Sequence, residues 1–147
     1  MLTKKYINQL VHSALVEDIG REGDITSKVL IPKSSLSKAT IVVKEKAVIC
    51  GTEFAKQTFK KLDKSVKIRT LKKDGELANK GDKIITISGK TQNILTAERT
   101  ALNFLGLMSG VASKARKFSY IADPYGSKIY STRKTIPGIR KLEKYAL

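Results

Sequence analysis

The stretch Tyr130-Ser131-Thr132-Arg133-Lys134-Thr135-Ile136-Pro137-Gly138-Ile139-Arg140-Lys141-Leu142-Glu143-Lys144-Tyr145-Ala146-Leu147 decides what kind of fold this chain can enter. Just ahead of it, Gly126-Ser127-Lys128-Ile129-Tyr130 reads as a short strand, because Ile129 and Tyr130 favour extended backbone and Pro124-Tyr125-Gly126 turns the chain into them. Pro137 and Gly138 stop the extended run, and a helical pattern begins at about Ile139. Between strand and helix, Arg133 offers a planar fork of donors suited to a carboxylate or phosphate, and Lys134 adds a compact point charge beside it. A strand, a cationic loop and a helix form the opening βα unit of an α/β fold, in which ligands sit beyond the carboxyl ends of strands. On these residues alone, an exposed basic loop with no ligand fits equally well.

Working back from that unit, the segment from about Ile94 to Met108 predicts a helix with Leu95, Leu102, Leu105 and Met108 on its apolar face. Arg99 shares the flank of that face, four residues after Leu95 and three before Leu102, where a long cation can simply lay its stem along apolar surface. Ser109-Gly110 reads as a break, followed by a second helix over roughly Val111 to Ile121. Upstream, Ala39-Thr40-Ile41-Val42-Val43, Ala47-Val48-Ile49-Cys50, the region of Val66, Ile68 and Leu71, and Lys83-Ile84-Ile85-Thr86-Ile87-Ser88 are rich in strand formers. Asp74-Gly75 and Gly81-Asp82 punctuate them. The pattern of Gly75, Leu77, Gly81, Asp82, Ile84, Ile87 and Gly89 resembles the half-barrel of biotinyl and lipoyl carrier domains. No lysine occupies the Met-Lys-Met type of turn that such carriers modify, so a carrier role does not follow.

Two more helices complete the pattern. Tyr6, Ile7, Leu10, Val11, Ala14 and Leu15 recur as pairs every four residues, one face of a helix from Lys4 to Glu17 capped by Thr3. A helix from Thr52 buries Phe54, Ala55, Phe59 and Leu62. Between the first helix and the strands, Asp24 suits a cap for the turn that follows Gly23. His12, the only histidine, lies within the first helix and is read as non-catalytic.

Length and composition bound the rest. The 147 residues suit one ordinary domain, or one plus a fragment. No apolar run approaches the roughly 18 residues of a membrane span, and no secretory signal is visible in Met1-Leu2-Thr3-Lys4-Lys5-Tyr6. Cys50, lacking a second cysteine to pair with, reads as a buried small hydrophobe. The expected home is cytoplasmic, with no membrane contact. A net charge of +16 attracts polyanions in general: nucleic acid, an acidic surface or a phosphorylated metabolite. The five Tyr and four Phe are scattered rather than grouped into a stacking platform, which argues against nucleic acid.

Three segments together carry a family resemblance. They are Ser131-Thr132-Arg133-Lys134-Thr135-Ile136-Pro137-Gly138-Ile139-Arg140 with Glu143-Lys144-Tyr145-Ala146; Leu95-Thr96-Ala97-Glu98-Arg99-Thr100-Ala101-Leu102-Asn103-Phe104-Leu105 with Ser109-Gly110-Val111-Ala112; and Glu17-Asp18-Ile19-Gly20 with Gly23-Asp24-Ile25-Thr26-Ser27. In order and spacing they resemble quinolinate phosphoribosyltransferase, also called carboxylating nicotinate-nucleotide pyrophosphorylase. The resemblance covers essentially this whole chain and about the first half of that family's protein.

The resemblance implies an α+β N-terminal domain over residues 1–110, a small strand-rich half-barrel or sandwich with packed helices. The first βα element of an incomplete α/β barrel follows over 111–147. It implies that quinolinate and phosphoribosyl pyrophosphate are joined to form nicotinate mononucleotide, carbon dioxide and pyrophosphate in NAD biosynthesis. Arg99, Thr132, Arg133 and Lys134 would bind substrate, with Arg99 reaching the barrel of a partner subunit in a homodimer or larger assembly. The family's Asp ahead of Thr132 is Ser131 here, which removes a carboxylate beside Arg133. A paralogue acting on another anionic acceptor would keep the same motifs.

Sixteen residues follow Ser131, whereas a complete barrel needs about 200 or more. The family's glycine-rich segment with its His-Arg pair, the next lysine, the acidic residues near metal and ribose, and the phosphate-binding glycines are not among the 147. The chain is thus expected to be a truncated, catalytically incomplete form. The Mg2+ of the complete enzyme would find its ligands elsewhere, and residues from about Lys128 onward are expected to be mobile or paired with another copy.

Overall fold

The computed structural model describes residues 2–147; Met1, part of the N-terminal stretch read above, lies outside them. Helix α1 (Lys4–Ile19) begins where expected, with the Thr3 hydroxyl accepting the Tyr6 N–H at 3.2 Å. It ends at Gly20, whose φ of 63° lies in the left-handed region. Asp24 caps a short α2 (Ile25–Leu30) by accepting the Ser27 N–H at 2.9 Å, so a helix stands where only a turn was expected after Gly23.

Strands β1 (Leu36–Val42), β3 (Lys67–Thr70) and β5 (Lys83–Lys90) form an antiparallel sheet in the order β1-β5-β3. The register sets Ile41 against Ile85 and both Ala39 and Ile68 against Ile87. Those positions face one way, as strand alternation requires, and pack with Phe59, Ile94, Ala97, Ala101 and Leu105 into the first core cluster. A second ladder joins β2 (Ala47–Val48) to β4 (Leu77–Ala78). The runs 39–43 and 47–50, adjacent in sequence, thus pair with different partners.

Helix α3 (Thr52–Leu62) buries Phe54, Ala55 and Phe59 as its spacing requires. Gly51 precedes it at φ 96°, and a Cβ there would stand 2.8 Å from the Met108 sulfur, so glycine serves both the turn and the close approach of α4.

Helix α4 (Thr91–Ala122) is 32 residues long, about 48 Å at 1.5 Å per residue. It runs unbroken through Ser109-Gly110, where a break was expected. One glycine costs a helix only about 1 kcal/mol, and the serines here have a packing use. The Ser109 hydroxyl accepts the Cys50 N–H at 3.0 Å and donates to the Cys50 carbonyl at 3.1 Å, while the Ser113 hydroxyl accepts the Val48 N–H at 2.8 Å. The buried face also differs from the expected one. Ile94, Ala97, Ala101, Phe104, Leu105 and Met108 are buried, whereas Leu95 and Leu102 are 42% and 40% exposed. Apolar residues occur on two sides of this helix, and the side with small Ala97 and Ala101 is the one that can approach the sheet.

Beyond a 3-10 turn (Asp123–Tyr125), the expected strand at Gly126–Tyr130 is not formed. A strand is stable only with a neighbour to take its N–H and C=O groups, and this segment pairs with neither edge of the β1-β5-β3 sheet. Helix α5 (Arg140–Ala146) does form, and it docks. Leu142 is fully buried, with Ala146 beside it, in a second core cluster that contains Ile7, Val11, Leu15, Phe54, Phe104 and Met108. The Phe54 and Phe104 rings stack there at 4.9 Å. The tail beyond Lys128 is therefore anchored at its far end within this copy, where mobility or pairing with another copy was expected. Among the described residues, no helix is long and apolar enough to cross a membrane. The architecture is α+β: a small antiparallel sheet with packed helices.

Candidate functional site

Arg99 projects from the third turn of α4 with its side chain 73% exposed, yet it is held at its base. Its Nε lies 2.6 Å from Asp18 Oδ1 in an ion pair, and Asp18, from the last turn of α1, is only 19% exposed. The other carboxylate oxygen of Asp18 accepts from the Thr100 hydroxyl at 3.2 Å. One turn earlier on α4, the Thr96 hydroxyl donates to Asp24 Oδ2 at 2.8 Å. Thr96, Arg99 and Thr100 lie at spacings of three and four residues, hence on one face of the helix, and that face meets two carboxylates from the α1–α2 turn.

Hydrogen bonding from Ser27 first, then from Thr96, together with the charge of Arg99, holds the Asp24 carboxyl below its ordinary range against the opposing effect of burial. These residues wall a groove of about 680 Å³ whose floor includes Leu95 and Leu102, the two leucines displaced from the core. A second recess of about 400 Å³ lies beside Ala14, Phe104 and Leu107. Arg99 and Asp18 line both, so the guanidinium stands on the ridge between them.

Thr132, Arg133 and Lys134 lie in the irregular segment before α5, all exposed. The Thr132 hydroxyl accepts the Lys134 N–H at 3.1 Å, a local turn of the kind Ser and Thr favour. The Arg133 carbonyl accepts the Thr135 N–H at 3.0 Å and the Arg140 Nη2 at 3.4 Å. Arg140 Nε donates to the Thr135 hydroxyl at 2.9 Å, and Glu143 accepts the Ile136 N–H at 3.3 Å. The loop backbone is thus tied to the first turn of α5. Among the described residues, neither Arg133 nor Lys134 makes an ion pair.

The anchor of that loop is Asp74. Its carboxylate accepts from the Gly51 and Thr52 N–H groups at 3.0 Å each and from the Thr52 hydroxyl at 2.6 Å, capping α3 from a distant part of the chain. It also accepts the Tyr145 hydroxyl at 3.0 Å, fastening α5. Burial and the nearby Asp74 charge push the Tyr145 phenol and the Cys50 thiol up to about 12 each. Cys50 is therefore a protonated, unreactive packing residue.

The four site residues named from the sequence fall in two places. Arg99 belongs to the groove between α1, α2 and α4, and Thr132, Arg133 and Lys134 do not line that groove. The sequence reading missed Asp18 as a partner of Arg99; the signal that could have found it is the polar trio 96, 99 and 100 on one face of an otherwise apolar helix. Among the described residues, no three His, Cys, Asp or Glu side chains converge to hold a metal ion. The arrangement offers, at one place, a guanidinium paired with Asp18 in a groove also lined by Asp24 and Glu98, and, at another, an unpaired guanidinium and ammonium suited to an anion.

Comparison with known proteins assigns these features a context. Residues 24–109 match the family model described as quinolinate phosphoribosyl transferase, N-terminal domain, and residues 111–147 match its C-terminal domain. The chain is 36% identical over 141 residues to the chloroplastic carboxylating nicotinate-nucleotide pyrophosphorylase of Oryza sativa subsp. japonica, covering 96% of this chain and 38% of the relative. It is 37% identical over 141 residues to a probable carboxylating nicotinate-nucleotide pyrophosphorylase of Bacillus subtilis (strain 168), covering 96% and 48%. The structure of the nicotinate-nucleotide pyrophosphorylase from Francisella tularensis superposes with a TM-score of 0.93 at 35% identity, covering 99% of this chain and 51% of that one. The chain spans about half the length of these relatives, or less.

Proposed function

Because this chain belongs to the quinolinate phosphoribosyl transferase family, we propose that it supplies the acceptor-binding cations of a quinolinate phosphoribosyltransferase: Arg99, Arg133 and Lys134, with Thr132 as a supporting contact. The reaction would join quinolinate through its ring nitrogen to the ribose of phosphoribosyl pyrophosphate, releasing pyrophosphate and carbon dioxide. Such chemistry asks for positioning of anions more than for covalent work by the protein. Two carboxylates on one pyridine ring call for paired donors, and a guanidinium meets a carboxylate with two parallel N–H groups where an ammonium cannot. At about 4 Å and an effective dielectric near 20, one such contact is worth about 4 kcal/mol before desolvation.

The observation that supports this reading above others is the family match over both stretches, with cations exposed at each family-like position. Arg99 and the loop cations stand apart in one copy, and we assign them to one site across a homodimer, with Arg99 reaching a partner subunit. The domain limit falls at 110/111, within α4, which then serves as a shared strut. The site is completed by residues beyond those matched here, so the 147-residue chain by itself should not turn over. Magnesium is expected for the complete enzyme, finds no ligand set among the described residues, and takes no part in the roles assigned to them. The expected location is the cytoplasm.

Titration of the isotope-labelled chain with quinolinate, and with nicotinate as the singly charged control, tests this. Quinolinate should shift signals at Arg99 and at 132–134, nicotinate much less, and Arg133→Ala should weaken quinolinate binding about tenfold. Equal response to the two acids, or an unaltered Arg133→Ala, would sink the assignment.

A further inference from the structure

We propose that the open face of the β1-β5-β3 sheet is a binding surface for a linear polyphosphate, held by Lys38, Lys67 and Arg69 over hydroxyls from Thr40, Thr86 and Ser88. None of these residues is among the cations assigned above to the acceptor, and the inference does not depend on that assignment.

The register puts the six side chains on one face. Lys38 and Lys67 stand on either side of Ser88, and Thr40 and Arg69 on either side of Thr86. Residues directly opposite one another in a ladder share a face, and alternation sends Ala39, Ile68 and Ile87 to the core on the other. The two rows are about 7 Å apart along the strands, and β1 and β3 are about 10 Å apart across β5. The three strands wall a shallow recess of about 340 Å³ whose lining includes no carboxylate and no aromatic ring. Lys38, Thr40, Lys67 and Arg69 are exposed, and Thr86 and Ser88 are half-buried. Among the described residues, none of the three cations makes an ion pair, and the Thr40, Thr86 and Ser88 hydroxyls have no partner in the protein, unlike those of Ser37, Thr91, Ser109 or Ser113.

A merely solvated surface mixes both signs of charge, and the chain has 13 Asp and Glu to draw on, none of which lines this recess. Like charges held on one sheet face weakly destabilise it, and an external anion relieves that cost. The surroundings select the anion. A peptide joins a sheet at its edge, where main-chain groups are free, whereas this recess lies over main chain already used in the ladders. A nucleic-acid strand held on a protein surface stacks its bases on aromatic side chains, and none borders the recess. A polyphosphate carries charge on every unit and accepts from N–H and O–H donors alike, so cations at the rims and hydroxyls between them suffice. The Arg69 fork can take two oxygens of one unit while Lys38 and Lys67 meet others. Contacts that are weak singly act together once one chain reaches both rims.

The test titrates the isotope-labelled 147-residue chain at low salt with orthophosphate, tripolyphosphate and longer inorganic polyphosphate. Affinity should rise about a hundredfold from orthophosphate to the longest chain, with shifted signals centred on residues 38–40, 67–69 and 86–88. Lys67→Gln combined with Arg69→Gln should weaken binding of the longest chain about tenfold, and Lys38→Gln about threefold. Lys4→Gln combined with Lys5→Gln removes the same two charges from the start of α1 and should change affinity by less than about twofold. Without anion, the sheet variants should melt no lower than the parent, since like charges have been removed; this separates lost binding from lost folding. Equal weakening by the two double variants would leave only the diffuse field of the +16 charge and overturns the proposal. Orthophosphate binding as tightly as the chain, or shifts confined to residues 132–134, overturns it too. So does equal affinity for oligothymidylate or polyglutamate of matched charge, which would give the face to a nucleic acid or an acidic polypeptide.

Discussion

Arg99 and the Arg133-Lys134 pair are both exposed cations, but they are held in opposite ways. Arg99 is paired with a residue far away in sequence, Asp18, and on the same helix Thr96 is tied to Asp24, across the contact of α1, α2 and α4. Arg133 and Lys134 are held through their backbone by partners two to seven residues away, and the loop is fixed to the molecule only because α5 docks behind it. A cation built into a helix that is packed on both sides can keep its direction without ligand. A cation on a loop keeps its place only as well as the loop's anchor. A shared site thus draws on one preorganised element and one adaptable element.

The largest expected break in this comparison is Leu142→Ala. Leu142 is fully buried at the centre of the α5 contact, and such a truncation costs about 2–4 kcal/mol. Urea unfolding should show that loss, and signals from Thr132 to Lys134 should move toward random-coil positions while the Arg99 Nε signal stays put. If both move together, the two regions are one cooperative unit and the contrast fails.

Tyr145→Phe should sharpen the same contrast at smaller cost. It removes one hydrogen bond to Asp74 and leaves the three that cap α3, so about 1 kcal/mol is expected. Hydrogen exchange should rise within α5 and not within α3. A rise in both would mean that Tyr145 is needed to hold the Asp74 carboxylate in place.

The smallest effect concerns acid, and it reports on the Arg99 side alone. The folded Asp24 carboxyl titrates below its ordinary value, so it contributes stability above an unfolded pKa of about 3.9, and that contribution is lost as pH falls through the lower, folded value. The stability difference between the parent and Asp24→Asn should therefore shrink as pH drops below about 4. A difference that is constant with pH would show that the Asp24 charge gains nothing from Ser27, Thr96 and Arg99.

Much of this was legible locally. Thr3 announces a helix start and Asp24 a cap, because a side-chain oxygen can satisfy an N–H three residues ahead, and both do so, although at Asp24 the capped element is a short helix where only a turn was expected. The Phe54, Ala55, Phe59 spacing marks the buried face of α3, and the β-branched runs mark the strands. The family motifs were likewise visible as ordered residues, and the comparisons bear the family out.

The misses share a cause. Leu95 and Leu102 are as apolar as Leu105, and only the approach of the sheet to Ala97 and Ala101 selects which side of α4 is covered. Ile129 and Tyr130 have strand propensity, but a strand is a relation between two chains of backbone groups, and among the described residues no neighbour pairs with them. Ser109-Gly110 reads as a stop, yet Ser109 and, one turn on, Ser113 bind the backbone of Val48 and Cys50 from an unbroken helix. The groups that organise the candidate site, Asp18 at Arg99 and Asp74 at Tyr145, are separated from their partners by 81 and 71 positions, as 99 − 18 and 145 − 74.

Propensity, capping and periodicity act over a few residues, so the sequence by itself determined where most helices and strands begin and which cations are available. Which oxygen meets which cation, and which apolar face is buried, were decided only when distant segments packed, because those energies depend on distances that no local pattern contains.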